Sequence, residues 1–118
     1  MTLTDIKEIA EADLLTNNSD MNIQINRGCS SDLMSDVLAF SKPESLLITG
    51  LTNETVIRSA EFANMKAILF VRGKKPNTKT IALAEEKKIP ILATKLTMFE
   101  ACGRLYMKGL GSENQFRT

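Results

Sequence analysis

The 118-residue chain has no histidine and no tryptophan, and it contains only two cysteines and one tyrosine. Without histidine the chain lacks the side chain that most often serves as a general base near neutral pH, so the usual nucleophile–base pairs are excluded. Cys29 and Cys102 are too few for a disulfide framework or a zinc site, and a four-cysteine cluster shared by two copies is the alternative. We therefore predict no enzyme, no catalytic residue, no metal and no cofactor.

Long apolar runs are also absent. No apolar stretch approaches the roughly 20 residues that a membrane-spanning helix requires. The amino-terminal segment, residues 1–15, is acidic and amphipathic, and it lacks the basic start and apolar run of a signal peptide. We expect a cytoplasmic protein without a membrane partner. The net charge of +1 gives no reason to expect a nucleic-acid partner.

The charges are distributed unevenly along the chain. Residues 1–60 carry nine acidic and four basic side chains, whereas residues 61–118 carry five acidic and eleven basic ones. Arg72, Lys74, Lys75 and Lys79 form a cationic group with no acid between them. This group is either a solvated loop and helix start or a site for an anion or an acidic partner.

Three short apolar segments alternate with amphipathic helical patterns, which is typical of an α/β domain with a parallel sheet. The length indicates one domain over residues 1–118, with a helical extension over about 1–16 and a flexible tail over about 111–118. We predict a three-layer α/β/α domain with a small, mostly parallel sheet of four to five strands. The predicted strands are 21–25, 45–49, 67–71 and 89–93, and the predicted helices are 4–15, 32–40, 54–64, 78–88 and 96–108.

Polar residues follow the predicted buried strands, and right-handed crossovers would bring them to one edge of the sheet. Each of these loops leads into a helix amino terminus, whose free N–H groups favour anions. The sequence therefore predicts a site for a small anionic ligand or a nucleotide. The alternative is that these residues only cap helices and turn the chain. The candidate residues are Thr49, Gly50, Thr52, Asn53, Arg72, Gly73, Lys74, Thr94 and Thr97.

Known phosphate-binding motifs do not match. Gly73-Lys74-Lys75 is not a P-loop, because no glycine stands five residues before Gly73, and the glycines at 109 and 111 follow a helix rather than a strand. Asp32 and Asp36 lie one helical turn apart in the predicted second helix. We interpret them as acids on the helix surface. The alternative is that the two carboxylates share a metal ion.

Two segments resemble a known family. The stretch from Gly28 to Leu38, GCSSDLMSDVL, is similar to the G-x-x-S-D-L-[LM]-S-D-V-[LM] element of DRTGG domains, and the run from Lys66 to Tyr106 resembles the rest of that domain. The resemblance covers roughly residues 20–110. DRTGG domains occur beside CBS pairs in regulated pyrophosphatases, within phosphotransacetylases and as free-standing proteins. The resemblance implies a fold similar to the amino-terminal domain of HPr kinase/phosphorylase. That amino-terminal domain carries no kinase active site.

The sequence differs from the family pattern at two loops. Many relatives have Gly-Asp-Arg where this chain has Gly50-Leu51-Thr52, and Thr-Gly-Gly where it has Arg72-Gly73-Lys74. Both loops keep a glycine, but the first has neither the acid nor the arginine of the family pattern. A ligand bound by relatives through that loop would therefore lose these contacts here.

Three functions follow as hypotheses. The first is a non-catalytic regulatory module that binds a small anion or nucleotide and forms a homodimer, since the resemblance implies self-association. The second is a docking partner of a larger enzyme, such as a redox complex, without a small-molecule ligand; some relatives are encoded near iron-only hydrogenase subunits. The third, a kinase or phosphotransferase, is disfavoured by the missing P-loop. The candidate interface residues are Met34, Leu38, Phe99 and Met107.

Overall fold

The computed structural model describes residues 1–112, which form one sheet of six strands flanked by helices. The strands are β1 (Asp13–Leu14), β2 (Arg27–Ser30), β3 (Leu46–Thr49), β4 (Ala67–Phe70), β5 (Ile91–Ala93) and β6 (Gly111–Ser112). The helices are α1 (Leu3–Ile9), α2 (Met34–Phe40), α3 (Glu54–Phe62), α4 (Thr78–Glu86) and α5 (Met98–Met107). The strand order is β1-β5-β4-β3-β2-β6, and every pair is parallel except β1 with β5.

Apolar residues cover both faces of the sheet. Every residue of β3, β4 and β5 is buried, as expected for parallel strands with helices on either side. One apolar cluster joins the sheet to α1 and α5, and the other joins it to α2, α3 and α4. These two clusters give the three-layer α/β/α architecture that the sequence predicts. No helix within residues 1–112 is long and apolar enough to span a membrane.

Side-chain caps fix the start of each helix that follows a buried strand. The carboxamides of Asn53 and Asn77 accept hydrogen bonds from backbone N–H groups at the starts of α3 and α4. The Thr97 hydroxyl does the same for α5. A cap of this kind contributes about 1 kcal/mol to helix stability. These caps fix where the loops at the carboxyl edge of the sheet end.

The sheet is wider than the predicted four to five strands, because two short edge strands join it. Residues 13–14, predicted as the end of the first helix, pair with β5, since α1 already ends at Ile9. Residues 111–112, predicted as part of a flexible tail, pair with β2 instead. The rest of that tail, residues 113–118, lies outside the described residues.

The prediction of a strand at residues 21–25 is wrong. Only Gln24 of this segment forms a strand-like bridge, to Thr2. The alternating pattern arises because Met21 and Ile23 pack against the apolar cluster to which α1 contributes. The strand in this part of the chain is β2 (Arg27–Ser30), which begins just after the predicted one. Pairing of Gly28 with Leu46 in β3 outweighs the local preference of glycine for turns.

Candidate functional site

Asp32 joins three loops at the carboxyl edge of the parallel strands. Its Oδ1 atom accepts hydrogen bonds from the Thr49 hydroxyl at 3.0 Å and from the Gly50 N–H at 2.8 Å. Its Oδ2 atom faces the Arg72 guanidinium, with Nη1 and Nη2 each at 3.3 Å. Asp32 is therefore not a helix-surface acid as interpreted from the sequence. Since α2 begins only at Met34, this aspartate lies in the loop after β2.

The ionised form of Asp32 is favoured by these contacts. The Gly50 N–H is the main cause that lowers the pKa of this carboxyl below its ordinary value, and burial opposes it. The Thr49 hydroxyl and the Arg72 guanidinium lower the pKa further. Charge-assisted hydrogen bonds of this kind are stronger than bonds between neutral groups. Asp32 thus carries a fixed negative charge that holds Arg72 in place.

Gly50 leaves the space that Arg72 occupies. A Cβ atom at position 50 would stand 2.3 Å from Arg72 Nη1 and 3.3 Å from its Cζ atom. The backbone of Arg72 is fixed as well: its φ angle is +64°, and its N–H donates to the Leu96 carbonyl at 2.7 Å. The guanidinium therefore lies directly over Gly50.

An open groove of about 800 Å³ lies between α5 and the strands β2 and β6, and Arg72 is one of its lining residues. Gly28 and Gly111 also line it, and both are closely packed: a Cβ atom would stand 3.0 Å from the Leu110 side chain at Gly28 and 2.8 Å from the Asn26 carbonyl oxygen at Gly111. The hydroxyl-bearing side chains of Ser30, Thr97 and Ser112 also line the groove. The apolar and aromatic side chains along it come mainly from α5: Met98, Phe99, Leu105 and Tyr106. Such a groove, with an apolar wall and a few polar groups, is typical of small-molecule sites.

The structure brings some of the predicted ligand residues together. Thr49, Gly50 and Arg72 meet around Asp32, and Thr97 lines the same groove as Arg72. Thr49 is the last residue of β3, and the other three lie in loops at the same carboxyl edge of the sheet. Their role in ligand binding stays a prediction.

The other predicted residues lie elsewhere. Thr94 is buried and donates its hydroxyl to the Ala10 carbonyl at 2.6 Å. Gly73 lines a separate pocket of about 320 Å³ together with Thr94. The Asn53 side chain caps α3, and Thr52 and Lys74 are not among the residues that line the groove.

The predicted interface residues differ in exposure. Phe99 and Met107 are 88% and 87% exposed, and Leu38 is 47% exposed. Met34 is half-buried against the apolar cluster beneath α2. Phe99, Met107 and Leu38 are therefore exposed enough to contact a partner protein.

The cysteines and acids form no metal centre within residues 1–112, where no group of three or more suitable ligands occurs. Cys29 is buried in β2, and Cys102 is half-buried on α5. Neither cysteine forms a disulfide within the described residues. Asp32 is engaged by the Thr49, Gly50 and Arg72 groups rather than by Asp36.

Sequence reasoning missed Asp32, Ser30, Gly103 and Tyr106 as lining or positioning residues of this site. A signal was available for Tyr106, because it lies two helical turns from Phe99 and therefore on the same side of the predicted last helix. None was available for Gly103, which reads as an ordinary helix residue. Ser30 and Asp32 were not predicted as site residues, because the second helix was expected to begin at residue 32.

Comparison with known proteins identifies relatives of this fold. A family model described as DRTGG domain matches residues 5–107. None of the curated proteins compared with the sequence matches it. One similar solved structure comprises the CBS and DRTGG domains of the regulatory region of Clostridium perfringens pyrophosphatase, in complex with its activator, diadenosine tetraphosphate. The two share 17% identity with a TM-score of 0.74, over 93% of this chain and 47% of that one.

Proposed function

The chain belongs to the DRTGG domain family, and on that premise we propose that it is a non-catalytic regulatory module that binds a small ligand in the groove beside α5. The ligand carries one anionic group and a planar apolar part, as a nucleotide does. The observation that carries this proposal is that Arg72 and the aromatic residues Phe99 and Tyr106 line the same groove. Arginine binds phosphate or carboxylate through its fork of N–H donors, and aromatic side chains stack on planar rings.

The electrostatics favour a ligand of low charge. Arg72 is the one charged side chain among the described residues that line the groove, and Asp32 already neutralises part of its charge. The Arg72 side chain is nevertheless 43% exposed, so its outer face remains accessible to an anion. Two or more phosphates placed at this point would meet the Asp32 carboxylate. We therefore propose a ligand with a single phosphate or carboxylate near Arg72.

The pyrophosphatase region supports the nucleotide class. That region is regulatory, and its activator is a dinucleoside polyphosphate. This chain spans 47% of it, so the position of the activator there is not carried over. Nucleotides are therefore the first probes to test.

The test is calorimetric titration of the whole chain with AMP, diadenosine tetraphosphate and inorganic phosphate. We expect saturable binding of AMP, and we expect Arg72→Ala to weaken it at least tenfold. The matched control is Arg58→Ala, which removes an exposed arginine from α3 on the opposite layer. If the Arg72→Ala variant and the wild-type chain bind AMP with equal affinity, the proposed ligand site in the groove is wrong.

A second function is favoured by the exposed apolar side chains of α5. Phe99 and Met107 are almost fully exposed, which is unusual for large apolar residues and typical of interaction surfaces. We propose that the module acts as a homodimer in the cytoplasm. If no probe binds and the chain co-purifies with a larger enzyme subunit, the docking function would replace ligand binding. A kinase or phosphotransferase role has no P-loop to support it.

A further inference from the structure

The outward face of α5 carries an unusual row of three residues. Phe99, Gly103 and Met107 recur at every fourth position and therefore form one ridge along the helix. The large members, Phe99 and Met107, are the two most exposed large apolar side chains in the described part of the chain. Between them, a Cβ atom at Gly103 would meet no atom within 4 Å. Gly103 therefore leaves a notch between the exposed side chains of Phe99 and Met107.

No backbone conformation or close contact within residues 1–112 requires this glycine. Glycine in a helix interior is less favourable than alanine, because its backbone is more mobile in the unfolded state. The φ angle of Gly103 is not positive, and no neighbouring element packs closely against it. A glycine at this position, between two exposed apolar side chains, leaves room for another surface to approach the helix closely.

We propose that this surface is α5 of a second copy of the chain, packed antiparallel with the two-fold axis near Gly103. The large–small–large row is complementary to itself in that orientation, since Phe99 of one copy lies opposite the partner's Met107. A two-fold interface requires such self-complementarity. Interdigitated rows at four-residue spacing are the commonest helix packing in globular proteins. The proposal rests on the self-association within the proposed function and names its contact face.

The charges beside the row fit this arrangement. Glu100, Arg104 and Lys108 form the adjacent row, and in an antiparallel pair the same row of each helix meets its counterpart. Glu100 of one copy then faces the partner's Lys108, a pair of opposite charges. Arg104 meets its own equivalent, but each Arg104 is already paired with Glu11 and with Glu100 of its own chain. The flank is therefore complementary rather than repulsive.

The groove lies on the opposite flank of the same row. Phe99, Gly103 and Tyr106 line it, so a second α5 beside the row also borders the open side of the groove. In the single chain the groove is open to solvent. The second copy would supply its missing wall, and ligand affinity would then depend on dimerisation. The exposed apolar side chains of α2 and α3, such as Phe40 and Phe62, lie on the other layer and offer no wall to this groove.

The first test is sedimentation velocity of the full chain over a range of concentrations. We expect a dimer for the wild type and at least about 30-fold weaker dimerisation for Gly103→Leu, because a side chain fills the notch. The control is Ala82→Leu, which adds the same bulk to an exposed position on α4. The Gly103→Leu chain should unfold at the same temperature as the wild type diluted to a monomer, or higher, because its new side chain meets nothing.

Cross-linking provides a second measurement in case Gly103→Leu fails to fold. In a Cys102→Ala background, Gly103→Cys should form an intermolecular disulfide under mild oxidation, since position 103 faces itself across the axis. Ala82→Cys in the same background should form none. A monomeric wild type would overturn both this inference and the proposed homodimer. A dimer unaffected by Gly103→Leu, without cross-linking through position 103, would overturn only the α5 face. The Arg72→Ala titration reports on the groove separately.

Discussion

Substitution of Gly50 by alanine separates the position of the Arg72 guanidinium from its charge. The added Cβ would stand 2.3 Å from Arg72 Nη1, so the guanidinium must leave its place over residue 50. The same atom would be 3.6 Å from Asp32 Oδ1, which is an ordinary contact. The φ angle of Gly50 lies outside the left-handed region, so alanine fits the backbone. The variant therefore keeps every charge and moves one of them.

The stability change should be small, because two effects of similar size oppose each other. The Arg72–Asp32 pair is partly solvated, with side chains 43% and 40% exposed, and pairs of this kind contribute up to about 1 kcal/mol. Replacing glycine by alanine at a compatible position stabilises a protein by about 0.4–1 kcal/mol, through the entropy of the unfolded chain. We therefore expect the free energy of unfolding to stay within about 1 kcal/mol of the wild-type value.

Urea unfolding followed by circular dichroism measures this change, and the NMR signal of the Arg72 side chain reports its displacement. Ligand affinity, measured with AMP, should fall because the guanidinium no longer faces the groove. In an Arg72→Ala background the same glycine substitution should leave affinity unchanged, since its effect acts through Arg72. A loss of more than about 2 kcal/mol of stability, or an equal loss of affinity in both backgrounds, would refute this reasoning.

Two further predictions concern Asp32 and Thr94. Because contacts lower the pKa of Asp32 below its ordinary value, its contribution to the stability of the folded state is present above about pH 4 and disappears as the pH falls through the folded-state pKa. The difference in free energy of unfolding between the wild type and Asp32→Asn should therefore shrink from pH 7 to pH 2.5; a constant difference would contradict the assignment. Thr94→Val should lower stability by about 1–3 kcal/mol, because it leaves the buried Ala10 carbonyl without its donor. Thermal unfolding against Thr55→Val, an exposed control on α3, checks this, and equal effects would contradict it.

The central part of the fold could be predicted from the sequence because its local signals agree. The segments that became β3, β4 and β5 are continuous apolar runs, and Asn53 and Asn77 mark the starts of the helices that follow. Burial on both faces leaves such runs one compatible environment. The errors in this region are limited to a few residues at the ends of elements.

The edges of the sheet could not be predicted, because pairing with a neighbour decides them. Gly28 begins β2 only because Leu46 of β3 lies beside it, and Gly111 begins β6 only because Arg27 lies beside it. Two-residue strands carry no periodic pattern that a sequence could reveal. Conversely, the alternation at residues 21–25 is real but reflects packing against the apolar cluster to which α1 contributes.

The position of Arg72 in the candidate site could be predicted from the sequence, but its pairing with Asp32 could not, because that contact joins distant parts of the chain. The sequence assigned Arg72 correctly to the carboxyl edge but treated it as a free cation, because its partner lies 40 residues away in the loop after β2. Pairing with Asp32 changes the chemistry that this arginine offers. A free cluster of Arg72, Lys74 and Lys75 would favour a polyanion, whereas a half-neutralised guanidinium beside Phe99 and an apolar wall favours a ligand of low charge with a planar ring. The ligand class that we propose therefore depends on Asp32, which the sequence analysis interpreted as an acid on the helix surface.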